Sequence, residues 1–175
     1  GGGEIGRSLA GQLSRDVYEL TLIDRNPDVV KSLSNSFDII CFEGNGASYT
    51  TLQELSAGKA DIWIAVTESD ELNILSCMTA HMMGAKHTIA RIRDVDYARQ
   101  NHFYKDKLGL SMIINPELAT ALEIFRLLRF PLATRVETFA RGRAELVQIN
   151  VRDESPLIGH SLIEMNQDMG INLLI

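Results

Sequence analysis

Apolar residues along most of this chain switch between two periods. Ile5, Leu9 and Leu13 stand four apart, the spacing of one helix face, and a β-like run over residues 18–23 follows. Asn26, Pro27 and Asp28 then start a helix: the amide can cap it, proline fits the first helical position, and the acid meets the positive dipole end. Val29, Val30, Leu33 and Phe37 give that helix its buried side. The same alternation continues with a strand at 39–42, a helix at 48–56 and a strand at 62–66. Ser69, Asp70 and Glu71 open a helix that Gly84 closes, followed by a strand at 88–92 and a helix at 95–103. A strand at 111–114 leads to Asn115, Pro116 and Glu117, a second Asn-Pro start for a helix that runs to Pro131. Strands separated by helices predict parallel βαβ units with right-handed crossovers. The fold class is therefore α/β: a Rossmann-like doubly wound parallel sheet over residues 1–132.

Beyond Pro131 the period changes. Residues 135–140 and 145–151 alternate apolar and polar positions, as half-buried strands do, with Arg141, Gly142 and Arg143 as the hairpin connection. A turn-rich stretch at 153–159 follows, Ser161 opens a short helix, and 171–175 predict a strand that stops in mid-element. Residues 133–175 are thus expected to begin a small, truncated α+β domain. The helix after Pro116 is unusual. Leu118, Leu122 and Phe125 form one stripe, and Ala121, Ile124, Leu127 and Leu128 carry apolarity well round the cylinder. A helix covering only its own sheet needs a narrower face. Either a second domain covers the rest or, on the sharper reading, a second subunit does.

Composition narrows the function. The 175 residues carry a net charge of −6, which argues against a nucleic-acid surface. No apolar run approaches the roughly 20 residues that span a bilayer. The two cysteines, Cys41 and Cys77, sit in apolar stretches, where reduced buried thiols of a cytosolic protein are the simplest expectation. The sequence contains no zinc-type spacing of Cys and His, so no metal is expected.

The chemistry concentrates at the start. Gly1, Gly2, Gly3, Glu4, Ile5 and Gly6 spell G-x-G-x-x-G. Its glycines allow a tight turn, backbone approach to a pyrophosphate and close helix packing, while the helix N-terminus offers free N–H groups. The fingerprint should follow a strand, so a central strand ahead of Gly1 is expected. Asp24, about 20 residues on, is the acid suited to ribose hydroxyls; it could equally cap the turn at Asn26. Arg25 beside it leaves a 2′-phosphate open, although the acid favours NAD over NADP.

Taken in order, several motifs resemble one family. These are the opening glycines, Leu22-Ile23-Asp24, the run from Glu43 through Gly44, Asn45, Gly46 and Ala47 to Ser48, then Ala65-Val66-Thr67 with Asp70, Glu71 and Asn73. Ile89-Ala90-Arg91-Ile92-Arg93 and Ile114-Asn115-Pro116-Glu117 complete the set. The chain is similar to the RCK/KTN regulatory domains of potassium channels and transporters, nearest to the peripheral subunits of bacterial Trk uptake systems. The stretch 147–162 resembles the start of the family's C-terminal RCK subdomain. The resemblance implies NAD or NADH, or alternatively ATP or ADP, at the strand ends. It places the phosphates on Gly1 to Gly6 and Arg91, the adenosine ribose on Asp24, the adenine side at Asn45, and Thr67 and Glu68 beside the ligand. Without a ligand, Arg91 would be a surface partner of Asp94 or Asp70. The resemblance further implies a cytoplasmic protein held at the inner membrane face by an integral-membrane potassium transporter or channel subunit, assembled as homodimers within a larger ring.

Two other classes compete. An NAD(P)-dependent oxidoreductase needs a positioned proton donor and a second-substrate pocket. The sequence has no Tyr-x-x-x-Lys, and His81, His87, His102 and His160 are scattered. An NAD-sensing repressor would carry a helix-turn-helix pattern, which is absent. The regulatory, non-enzymatic reading leads.

Overall fold

The computed structural model describes the chain apart from residues 17, 141–142, 156–157, 162–163 and 165–175. Two compact units result, Gly1–Ala119 and Thr120–Ile175. In the first, helices and strands alternate: α1 (Glu4–Leu13), β1 (Thr21–Asp24), α2 (Pro27–Ser36), β2 (Ile40–Glu43) and α3 (Tyr49–Glu54), then a 3-10 turn (Ala57–Lys59). There follow β3 (Ile62–Ala65), α4 (Asp70–Met83), β4 (His87–Arg91), α5 (Val95–Arg99), α6 (Asn101–Leu108) and β5 (Met112–Ile114). Helix α7 (Pro116–Arg129) starts in this unit and continues into the second, which holds β6 (Ala133–Phe139) and β7 (Ala144–Ile149).

All pairings in the first unit are parallel, giving a Rossmann-like α/β arrangement. β1 pairs with β2, Thr21 opposite Ile40, and β3, β4 and β5 pair in that order, with Ile62 opposite His87 and Arg91 opposite Ile114. Helices cover the strands through three apolar clusters. Ala10, Leu22 and Leu33 pack around β1 and β2; Leu52, Ala57, Ala80 and Ala85 join α3 to α4; Ala65, Cys77, Ala90, Ile92, Tyr104 and Leu110 fill the largest. Trp63 touches both of the last two.

The helix starts follow the sequence closely. Asn26 Oδ1 accepts the Asp28 N–H at 2.9 Å, Ser69 Oγ accepts the Leu72 N–H at 3.2 Å, and Gly84 closes α4 at φ 116°. Three elements differ from expectation. The run at 18–23 becomes strand only at Thr21, opposite the first residue of β2, Ile40, whose N–H donates to the Leu20 C=O at 3.0 Å. The helix expected over 48–56 ends at Glu54, because Ser56 turns left-handed (φ 54°) into the 3-10 turn. The helix expected over 95–103 divides at Gln100, whose φ −88° and ψ 15° break its course, and resumes as far as Leu108.

In the second unit β6 and β7 form an antiparallel hairpin with Val136 opposite Val147. Its expected connection at Arg141 and Gly142 lies outside the described residues, as does the strand expected at 171–175. Ser161 and Glu164 make a reciprocal capping box: the Ser161 N–H donates to Glu164 Oε2 at 2.7 Å and its Oγ accepts the Glu164 N–H at 3.3 Å. Helix α7 has no buried residue, and Phe125 and Leu128 are 58% and 76% exposed. Among the described residues, no helix is long and apolar enough to cross a membrane, and no cluster of His, Cys, Asp and Glu could hold a metal ion.

Candidate nucleotide site

Parallel strands present their carboxyl ends on one side of a sheet, and here those ends are Asp24 and Glu43 in one ladder and Ala65, Arg91 and Ile114 in the other. Ligands of open α/β sheets bind in the crevice outside such ends. β1 and β3 share no ladder. The opening glycines connect their ends instead: the Gly2 N–H donates to Asp24 Oδ2 at 2.6 Å, and a β-carbon on Gly1 would stand 3.2 Å from Thr67 Cγ2.

Gly6 must be glycine, since a β-carbon there would overlap the Gly1 carbonyl. That contact draws the first turn of α1 against the loop. Gly3, the N-cap, has open space around its missing side chain. The first intrahelical bond is Arg7 N–H to Gly3 C=O at 2.8 Å, so the N–H groups of Glu4, Ile5 and Gly6 have no acceptor within the helix. Glu4 is exposed and Ile5 half-buried.

Asp24 has a dual role. Its Oδ1 accepts the Asn26 N–H at 2.8 Å while Oδ2 takes Gly2, so it caps the turn and anchors the glycine loop together. Each oxygen keeps a further lone pair for a hydroxyl donor. Arg25 beside it is exposed. The Gly44 N–H donates to the Asp24 C=O at 2.8 Å, which brings the Asn45 loop alongside. Asn45 Oδ1 accepts the Ala47 N–H at 3.1 Å. Below the loop, the Ser76 hydroxyl donates to the Gly46 C=O at 2.5 Å and accepts the Trp63 indole N–H at 3.0 Å.

Two side chains without an assigned role organise the other half. Asn73, fully buried, accepts from the Thr67 N–H and hydroxyl (2.8 and 2.7 Å) and donates to the carbonyls of Thr67 and Arg91 (3.1 and 2.9 Å). One amide thus clamps the ends of β3 and β4 together. Asp70 Oδ2 accepts the N–H groups of Arg93 and Asp94, both at 2.8 Å, so this acid caps the loop after β4 in addition to opening α4. Their signal in the sequence was the i, i+3 spacing of Asp70 and Asn73 on the first turn of the helix.

Arg91 ends β4 with a side chain only 12% exposed. Its guanidinium pairs with Glu117, neither Asp94 nor Asp70; Arg93 is the arginine near Asp70, at 3.7 Å. The Arg91 Nε–H is buried and finds no acceptor among the described residues. Glu117 is held below the ordinary carboxylate value by its own backbone N–H first, then by Arg91, against burial. Glu68 is exposed; its carbonyl accepts from Arg93 and its carboxylate has no partner among the described residues. An open glycine backbone, a helix N-terminus and a buried guanidinium with a spare donor fit a phosphate-bearing ligand.

Residues 1–116 match the TrkA-N domain family. Over 165 residues the chain is 30% identical to a Trk system potassium uptake protein TrkA homolog of Archaeoglobus fulgidus, covering 94% of this chain and 37% of that relative's length. It is similar to the TrkA-N domain of inner membrane protein ybaL from Escherichia coli, with TM-score 0.65, 20% identity, and 73% and 92% of the two chains covered. It is also similar to the GsuK channel bound to NAD, with TM-score 0.55, 19% identity, and 77% and 22% covered. GsuK bound to ADP gives TM-score 0.54 and 19% identity, with 63% and 28% covered. At these identities the solved structures speak for the fold alone.

Proposed function

The chain belongs to the TrkA-N domain family, and from that premise we propose that its strand-end crevice binds NAD or NADH, with ATP or ADP as rivals for the same site. Binding regulates a potassium uptake transporter or channel and is not followed by chemistry. The observation that carries the reading is a chain of contacts along the strand ends: Asp24 holds the glycine loop whose Gly3 is exposed, Gly1 lies against Thr67, and Asn73 ties Thr67 to Arg91, whose buried Nε–H has no acceptor among the described residues. The N–H groups of Gly1 to Gly6 and Arg91 take the phosphates, Asp24 the ribose, and Asn45 the adenine side, with Thr67 and Glu68 beside the ligand. The NAD- and ADP-bound forms of GsuK support both ligand classes.

The non-enzymatic reading is supported by where the histidines stand. His81, His87, His102 and His160 are all exposed, and His87 lies at the end of β4 opposite Arg91. A ligand phosphate on Arg91 competes with Glu117 in the first turn of α7, giving occupancy a route to that helix. A ligand shifts a regulatory equilibrium only by its different affinities for the two states. The first unit with α7, residues 1–132, acts as the RCK N-terminal domain, and 133–175 begin the C-terminal subdomain. The partner is an integral-membrane potassium transporter or channel subunit, which holds the protein at the cytoplasmic face. The exposed apolar residues of α7 pair two chains into a homodimer within a larger ring.

Calorimetric titration with NADH, NADPH, ATP and ADP tests the site. Micromolar binding of NADH or an adenine nucleotide is expected, and loss of at least tenfold in an Asp24→Ala, Arg91→Ala double variant, roughly what charged hydrogen bonds contribute. Absence of binding by the folded wild-type chain overturns the proposal. Preferred NADPH binding with turnover would point to an oxidoreductase.

A further inference from the structure

The loop that carries Asn45 is built from small residues, with Gly44 seated close against Phe42 and Thr51. A β-carbon on Gly46 would touch nothing within 4 Å. Beyond Gly44 the loop is held by hydrogen bonds, and among the described residues its hydrogen bond to α4 comes from Ser76. This residue is 4% exposed on a helix side lined by Asn73, Cys77 and Ala80, so its hydroxyl is removed from water. Burying a hydroxyl is unfavourable unless it is fully partnered, and alanine would serve the helix better. The two partners explain its presence. An indole N–H can only donate, so the Trp63 contact at 3.0 Å occupies a lone pair of Ser76 Oγ. The single hydroxyl proton is thereby directed to the Gly46 carbonyl at 2.5 Å. Trp63 is in turn held between two apolar clusters.

We infer that Ser76, oriented by Trp63, is a positioning residue for the adenine end of the ligand, setting the 44–47 loop against the base. The inference rests on the adenine-nucleotide reading of the crevice. It makes a specific demand. Losing the hydroxyl weakens ligands that carry the base and spares those that carry only phosphates, because Gly1 to Gly6 and Arg91 are held by other contacts.

The test is calorimetric titration of the full chain with ADP and, separately, inorganic tripolyphosphate. Ser76→Ala is expected to weaken ADP about fivefold, the scale of one buried hydrogen bond, with tripolyphosphate unchanged. Ser76→Thr, which keeps the hydroxyl, restores ADP binding. Trp63 is the only tryptophan of the sequence, and its emission should change on ADP binding less in Ser76→Ala than in wild type. Should Ser76→Ala not fold, Trp63→Phe carries the test, with a smaller loss confined to ADP. Equal affinity for ADP in wild type and variant overturns the inference and leaves the site reading standing. Equal weakening of both ligands also overturns it, as general destabilisation. A wild-type chain that binds no ADP removes the site reading itself, and the inference with it.

Discussion

The strand-end crevice and helix α7 are opposite solutions to the same problem of what to do with surface. In the crevice, polar side chains are drawn into hydrogen bonds, Asn73 using both ends of its amide and Asp24 both oxygens, while the buried Arg91 Nε–H is left without an acceptor among the described residues. On α7, apolar groups are left in water: Leu122, Phe125 and Leu128 are all exposed. A buried polar network is costly unless complete, so it fixes geometry. An uncovered apolar face is unfavourable until something covers it, so it favours association. In the proposed function, the first region recognises and the second joins.

The sharpest way to break this contrast is Asn73→Ala. It leaves the Thr67 N–H and the carbonyls of Thr67 and Arg91 buried without their partner, and we expect a loss of about 3 kcal/mol of stability, measured by urea unfolding. A loss comparable to a surface substitution would mean that water replaces the amide and that the network is not fixed. Phe125→Asp should do the reverse. Because Phe125 is 58% exposed, stability of the single chain should move by only about 0.5 kcal/mol. Association should be abolished in sedimentation, and a variant that remained dimeric would remove α7 from the interface. The smallest effect concerns a thiol. Burial pushes the fully buried Cys77 thiol up to about 12, so it stays protonated at pH 8 and alkylates slowly. Labelling of Cys77, read site by site in mass spectrometry, should complete only in denaturant; rapid labelling in the folded chain would place this cysteine on the surface.

Much of the fold was legible because its signals are local. Asn26 and Ser69 cap helices through their own neighbours, and Gly84 ends one by its backbone freedom, so spacing alone locates them. Where a boundary depended on a distant partner, the pattern overran. β1 begins only where Ile40 reaches it, at the Leu20 carbonyl and Thr21, and the break at Gln100 has no proline or glycine to announce it. The site divides along the same line. Gly1 to Gly6 and Asp24 are separated by an ordinary motif interval. The clamp of Asn73, the capping by Asp70 and the pairing of Arg91 with Glu117 each span 18 or more residues.

By itself, the sequence determined the alternation of helix and strand, the glycine loop and the acid after it, because hydrophobic period, capping and steric freedom act within a few residues. Only the tertiary structure decided which polar groups are withdrawn from water and what satisfies them. That choice is made by strands that meet from far apart in the chain, and no local pattern encodes it.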